Sequence, residues 1–214
     1  MKIVVIGGSG LIGKTLVHKL KKTGTQIIAT SPSSGVNTLT GEGLTEALDN
    51  AHSVVDVTNS PVFDDAGVMH FFETSTRHIL AAENSAGVRH HILLSVVGAD
   101  RMTDSGYMRA KVAQEELVKS SRVPFSILRA TQFFQFLGDI ANANTVEDEV
   151  RLPAALVQPV SADDVASTLA KMALGNPTNG IIELAGPDQF GLDGVVTLVQ
   201  KWMNDYLSPA TTLK

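Results

Sequence analysis

The sequence predicts an α/β fold built on a doubly wound parallel sheet. Three observations carry that expectation. Short β-branched runs recur along the chain. Helical stripes alternate with them. The first run ends in Gly7, Gly8, Gly10 and Gly13, a turn that leads straight into a helix. The chain has 214 residues, 43% of them hydrophobic, which suits one domain with a full core.

Lys2 to Ile6 (KIVVI) reads as a buried strand, because it is nearly all apolar and stops at glycine. Leu11 to Lys22 has apolar residues at 11, 12, 16, 17 and 20, a helical spacing. Thr25 to Ala29 is a second strand, Glu42 to Leu48 a short helix and Ser53 to Val57 a third strand. A longer helix runs from about Ala66 to Ala86 and closes at Gly87, a residue suited to a C-terminal cap. His91 to Leu94 is a fourth strand, Tyr107 to Lys119 a helix, and Phe125 to Leu128 a fifth strand after Pro124.

Beyond Ala130 the alternation loosens. Thr131 to Ala143 is apolar and aromatic and reads as a helix. Leu156 to Val160 is a short strand, and Asp163 to Leu174 is a helix with Ser161 as its N-cap. Gly180 to Leu184 is a strand and Gly191 to Leu207 is mostly helix. The acidic run Glu147 to Glu149 reads as a solvated loop. The expectation is one domain over residues 1–214, with a small substrate lobe formed mainly after residue 130.

A net charge of −5 argues against a nucleic-acid partner, because phosphate binding needs a basic face. The chain has no cysteine, which removes disulfides, thiolate nucleophiles and cysteine-ligated zinc, and no metal site is expected. No apolar stretch approaches the roughly 18 residues of a membrane span. The start is basic and then apolar, but glycines interrupt it too early for a signal peptide. The expected setting is the cytoplasm, with a small-molecule partner. The oligomeric state is not legible.

Gly7-Gly8-Ser9-Gly10-Leu11-Ile12-Gly13 sits between the first strand and the first helix, the context that makes this pattern specific. Gly7 permits the tight turn, Gly10 lets a pyrophosphate approach the backbone, and Gly13 lets the helix lie close to the strand. The helix N-terminus then offers N–H groups to the phosphates, so Ser9, Leu11 and Ile12 are counted with the glycines as cofactor-binding. The whole then reads as a Rossmann-type fold holding a nicotinamide dinucleotide. Gly8-x4-Gly13-Lys14-Thr15 also matches a triphosphate-binding loop, for which Asp56 would be the magnesium-holding acid. The glycine spacing directly after the strand favours the dinucleotide.

The residue closing the second strand selects the cofactor: an acid there binds the ribose diol of NAD. Thr25 to Gly41 contains no acid and no base, and the strand runs into Thr30-Ser31-Pro32-Ser33-Ser34. Hydroxyls of Ser31, Ser33 and Ser34 can donate to a 2′-phosphate, so NADP(H) is favoured and NAD(H) stays possible. A plain polar turn around Pro32 is the alternative.

The chain resembles the short-chain dehydrogenase/reductase superfamily, and within it the atypical NmrA-like, NAD(P)H-binding reductase branch. The resemblance rests on the Gly7-x-x-Gly10-x-x-Gly13 turn, Asp56-Val57-Thr58-Asn59 after the third strand, and Leu94-Ser95-Val96-Val97-Gly98-Ala99 after the fourth. It continues with Tyr107-Met108-Arg109-Ala110-Lys111 followed by Glu115 and Glu116, Pro124 to Ala130, and Val160 to Ala166. It implies that Tyr107 and Lys111 are the Tyr-x-x-x-Lys pair, four apart on one helical face. The ammonium would lower the phenol's pKa toward neutrality and contact the nicotinamide ribose, and the phenol would give its proton to a carbonyl oxygen. It further implies that Ser95 orients the substrate carbonyl and that Thr58 and Asn59 line the cofactor.

Where that family often carries a helix asparagine, this chain has His78 in Thr76-Arg77-His78-Ile79-Leu80. Gln132, Phe133 and Phe134 follow the fifth strand, either as an apolar substrate pocket or as core. The leading expectation is an oxidoreductase that passes hydride from NAD(P)H to a small carbonyl or quinone-like acceptor. A non-catalytic NAD(P)-binding sensor of NmrA type and a sugar-nucleotide epimerase remain the alternatives.

Overall fold

The computed structural model describes residues 1–143, 145–147, 149–152 and 154–198. In chain order its elements are β1 (Lys2–Ile6), α1 (Leu11–Lys21), β2 (Gln26–Thr30), α2 (Leu44–Leu48), β3 (Ser53–Asp56), α3 (Asp65–Ala86), β4 (His90–Val96), α4 (Gly106–Lys119) and β5 (Phe125–Ala130). There follow α5 (Leu137–Ala143), β6 (Thr145–Val146), β7 (Glu149–Val150), β8 (Leu156–Val157), α6 (Ala162–Leu174), β9 (Gly180–Leu184) and β10 (Phe190–Gly191). The chain divides into two compact units. One is Met1–Ala130 with Ala162–Leu184; the other is Thr131–Ser161 with the residues from Ala185 onward.

The first unit holds a six-stranded sheet in the order β2-β1-β3-β4-β5-β9, parallel throughout. The doubly wound expectation therefore holds. The chain steps from β1 to β2 on one side and crosses back to β3 on the other. Ile6 ends β1 flanked by Thr30 of β2 and Asp56 of β3. Ligands of such sheets sit in the crevice beyond the strand ends where the winding reverses, which here is the point between β1 and β3.

Helices cover both faces. α1 packs on α6, and α6 lies against β3, β4 and β5, while α3 packs on α4 and α2. The period of two sorts the side chains of β4. His91, Leu93 and Ser95 face α3 and α4, where they meet Glu83, Val118 and Glu115. The helix ends follow local chemistry. The Asp64 carboxylate caps α3 by accepting from the Gly67 N–H, and Gly87 closes it at φ 67°. Ser105 caps α4 through the Met108 N–H.

In the second unit the expected helix over Thr131 to Ala143 begins late. Phe134–Phe136 is a 3₁₀ turn and the α-helix starts at Leu137. The cause is backbone pairing with an adjacent segment: Val160 N–H donates to the Gln132 carbonyl, and Phe134 N–H to the Val160 carbonyl. The expected strand Leu156 to Val160 is likewise only Leu156–Val157, paired antiparallel with β10. Pro159 has no N–H to continue a ladder, and Gly186 takes up the Gln158 carbonyl. Of the acidic run, Glu147 follows β6 at φ 52° and Glu149 opens β7, so the expected loop is partly strand. Residues 192–198 are helical, and the rest of the helix expected to Leu207 lies outside the described residues. No helix among the described residues is long and apolar enough to cross a membrane.

The sheet also buries charge-bearing groups near its amino end. His91 Nδ1 and Glu83 Oε1 lie 2.8 Å apart, both side chains fully buried. Burial raises the Glu83 pKa; it works against the His91 imidazolium too, but the adjacent carboxylate outweighs it and that pKa is raised as well. The two directions describe one proton held between the two groups. His90, on the opposite face, bonds Ser126 Oγ through Nε2. Burial, with help from the neighbouring His91 and His52, lowers its pKa from 6.5 to about 4. A neutral His90 in the fold and an ordinary one in the unfolded chain mean that unfolding takes up a proton between these values. The melting temperature should accordingly fall as pH drops from about 6.5 to 4, and His90→Gln should flatten that slope. Melting curves across the range check this; an equal slope in the variant would count against it.

Candidate functional site

The glycine turn is built as its residues require. Gly7 sits at φ 85°, in the left-handed region, and both Gly7 and Gly8 donate N–H to the Thr30 carbonyl at 3.0 and 2.9 Å. This fixes the turn against the end of β2. A Cβ on Gly13 would run into the Gly7 carbonyl, and one on Gly7 would meet the Val57 carbonyl at 2.8 Å. Gly10 differs. A Cβ there would meet only the Gly7 carbonyl, at 3.4 Å, and Gly10 has an ordinary φ of −76°. The fold can tolerate a side chain at Gly10, so nothing within the chain requires glycine there.

Leu11, Ile12 and Gly13 form the first turn of α1. That helix has no side-chain cap and no acid in its first turn. Its leading N–H groups and its positive dipole end are left for an anion. These features fit a dinucleotide pyrophosphate. They do not fit a magnesium-triphosphate loop: Thr15 donates its hydroxyl to the Leu11 carbonyl, and Asp56 is engaged elsewhere.

Ser31, Ser33 and Ser34 form a compact polar turn directly after β2. Ser34 Oγ accepts from the Ser31 N–H and donates to the Ser31 carbonyl, while Ser31 and Ser33 share a hydroxyl contact at 2.9 Å. Ser33 and Ser34 are exposed and Ser31 is buried. The hydroxyls thus first serve the 3₁₀ turn Pro32–Ser34.

Beyond β3, the buried Asp56 organises a network that the sequence did not reveal. Its Oδ1 accepts from the N–H and the hydroxyl of Thr58, at 2.9 and 2.7 Å. Its Oδ2 accepts from Gln114 Nε2 at 3.1 Å. Gln114 also donates to Thr76 Oγ1, and its Oε1 receives the Lys111 ammonium. Asn59 follows Thr58, and its Oδ1 accepts from the Tyr107 hydroxyl at 3.1 Å. The Tyr107 ring stands edge-on to Phe72, with centroids 5.7 Å apart. The structure therefore brings Thr58, Asn59, Tyr107 and Lys111 together. Gln114 was missed, although its place three residues after Lys111 on the same helix was a signal.

Two expected roles are corrected by the geometry. Lys111 does not act on the phenol by contact. Its Nζ, almost wholly buried, donates to the Leu94 carbonyl at 2.9 Å and to Gln114, 4.5 Å from the Phe72 ring centre. Burial lowers its pKa to about 8, against the pull of Asp56 and Glu115. The Tyr107 phenol is not depressed either; burial raises it.

Ser95 points into the packed layer under α4 and gives its hydroxyl to Glu115 at 2.6 Å. There Glu115 takes a two-pronged grip from Arg129, at 2.9 and 2.8 Å, and Arg129 also holds Asp100. Burial alone would raise the Glu115 carboxyl, but the bonds from Arg129 and Ser95 bring it below its ordinary value. Ser95 is thus committed to a structural network. His78, which stands where the family often has an asparagine, has its Nδ1 2.9 Å from the Thr38 carbonyl. Gln132, Phe133 and Phe134 belong to the second unit, where the Phe133 ring stacks on Phe136.

A family model described as NAD(P)H-binding matches residues 7–176 of the chain. The photosystem II assembly factor Ycf39 of Cyanophora paradoxa is 23% identical over 219 residues, covering 94% of this chain and 68% of that protein. Among solved structures, the NADPH-dependent quinone oxidoreductase QOR2 of Escherichia coli, complexed with NADPH, aligns with a TM-score of 0.75 at 19% identity. The alignment covers 94% of this chain and 75% of that one. The UDP-glucose 4-epimerase of Thermus thermophilus, complexed with NAD, aligns at 0.74 and 17% identity, over 94% of this chain and 83% of that one. At these identities the structural likeness speaks for the fold. The neighbours carry both nicotinamide cofactors.

The turn yields a paired prediction. Gly10→Val should abolish NAD(P)H binding in a protein that melts within a few degrees of wild type. Gly13→Ala should instead lower the melting temperature markedly, because its methyl group meets backbone. Calorimetric titration with thermal melting separates the two; undiminished affinity in a folded Gly10→Val protein would place the ligand elsewhere.

Proposed function

The chain belongs to the NAD(P)H-binding family, and on that premise we propose that it is a reductase that passes hydride from NAD(P)H to a small carbonyl or quinone-like acceptor. The observation that carries the reading is the Tyr107 hydroxyl. It lies on Asn59, just beyond the carboxyl end of β3, at the start of the helix that follows β4. Bound reduced nicotinamide would supply the hydride. The chain's own part is to hold the acceptor oxygen and deliver a proton to it. A phenol whose pKa is raised by burial is fully protonated at neutral pH, as a donor must be. When the acceptor takes up hydride, its oxygen gains charge and becomes the stronger base. The phenol proton moves to that oxygen, and solvent restores the phenol.

A second reading, a cofactor-binding protein without turnover, draws on a specific feature. Ser95 and Lys111 are both satisfied inside the chain. Tyr107→Phe separates the two. In a reductase it should lower turnover by roughly 10²–10⁴-fold, as expected for one acid–base group, with cofactor affinity nearly unchanged. In a binding protein no quinone, aldehyde or ketone would oxidise bound NADPH in either form. Turnover that survives the substitution would leave an enzyme whose acceptor needs no protein acid.

We further place NADP(H) ahead of NAD(H), in a protein whose ligands are small molecules. The support is the absence of any acid from Thr25 to Gly41 and the exposed hydroxyls of Ser33 and Ser34. Ser31→Asp keeps an N-capping side chain for the Pro32–Ser34 turn while setting a carboxylate beside the 2′-phosphate. It should reverse the order of NADPH and NADH affinities. Tighter NADH binding by the wild type would sink the assignment.

A further inference from the structure

The segment between β3 and α3 is fastened to the first turn of α4 at both of its ends. At one end Asn59 accepts the Tyr107 hydroxyl. At the other, Asp65 takes the Arg109 guanidinium at 2.5 Å, and a Cβ on Gly106 would run into the same carboxylate. Ser60 tightens the span by accepting from the Val62 N–H. Between the two fastenings Val62, whose side chain lies against Gly67, is 43% exposed and Phe63 is 76% exposed. Most of the Phe63 ring is thus free of packing within the chain.

The same guanidinium reaches across to the loop after β4. Arg109 Nη1 donates to the Thr103 carbonyl at 2.6 Å while Nη2 holds Asp65. The neighbour of Thr103, Met102, is again an exposed apolar side chain, at 38%. One cation thus ties together the two loops at the carboxyl ends of β3 and β4, and each presents apolar surface. Both loops border Tyr107: Asn59 begins the first, and the second runs into the helix that carries the phenol. Ligands of parallel sheets bind at this edge. An adaptable thioether and an aromatic face are the side chains that receive flat, uncharged rings.

We propose that Phe63, with Val62 and Met102, is the specificity-determining clamp of the site, and that it selects a planar, uncharged aromatic acceptor of quinone type over small aliphatic carbonyls. This deepens the reductase reading and rests on it for the chemistry, though not for the binding. Arg109 is a positioning residue that keeps the two loops together.

The test uses the NADPH-loaded protein with 2-methyl-1,4-naphthoquinone as probe and a small aliphatic aldehyde as control. Phe63→Ala should raise the naphthoquinone KM at least tenfold, leave kcat within a few fold, and leave both NADPH affinity and the aldehyde KM unchanged. Phe63→Tyr, which keeps an aromatic ring, should restore the quinone KM. Because Phe63 is exposed, neither change threatens folding. Binding of the redox-inert analogue 1,4-dimethylnaphthalene to the NADP⁺-loaded protein, followed by calorimetry, separates this idea from the reductase reading. Naphthalene binding lost in Phe63→Ala, with no turnover in any form, would keep the clamp and remove the reductase. Turnover of naphthoquinone with an unchanged KM in Phe63→Ala would keep the reductase and overturn the clamp. Absence of naphthalene binding to the wild type, with no turnover, would overturn both.

Discussion

An ammonium buried beneath the sheet is the constraint from which the site's geometry follows. Taking the Lys111 charge out of water costs several kcal/mol unless it is matched. Burial lowers its pKa to about 8 even with Asp56 and Glu115 pulling the other way. The match comes from the Leu94 carbonyl and from Gln114. Gln114 can receive the ammonium only with its amide oriented one way, and that orientation is set by its two donations, to Asp56 and Thr76. Asp56 in turn turns its other oxygen to Thr58, which places Asn59 and through it the Tyr107 hydroxyl. The catalytic-looking surface is the outer end of a buried electrostatic arrangement. A half-satisfied member would be costly in such surroundings, so the parts hold one another in place.

The glycine turn stands on a different kind of constraint, one of space. Gly7 and Gly13 are glycines because backbone lies where a Cβ would be. That reason is internal to the fold. Gly10 lacks an equivalent internal reason, and this asymmetry within one short motif is what points to a ligand. The uncapped start of α1 agrees with it. A helix end without side-chain acceptors leaves polar groups that an anion satisfies well.

These two constraints were unequally legible in the sequence. Steric requirements are local: glycine spacing after KIVVI is visible without knowing what packs nearby. The order of strands and helices through Ala130 was equally local, since it rests on period and on caps such as Gly87. Lys111 and Ser95 were found by their positions in a pattern, but not their partners, of which Gln114 and Glu115 on α4 are themselves held by Thr76 of α3, Asp56 of β3 and Arg129 of β5. Their expected roles shifted for that reason. For Ser95 the strand period already held the clue, because Leu93 and Ser95 share a face and Leu93 is core. After Ala130 the backbone makes irregular pairings around Gln132, Pro159 and Val160 that no periodicity announces.

The Asp56 network also decides which half of the Tyr107–Lys111 pair can respond to a ligand. The phenol holds a single neutral hydrogen bond, to Asn59. Exchanging it for one to an acceptor oxygen trades like for like, at a net cost well under the value of the bond. The ammonium holds two acceptors and lies in the field of Asp56 and Glu115. To move toward a ribose it would have to leave them all. In the proposed reductase Tyr107 is therefore the member that exchanges its partner, and Lys111 the member that stays. In the proposed reductase the spacing of four residues serves less for contact between the pair than for letting one helix carry a fixed charge and a proton donor one turn apart.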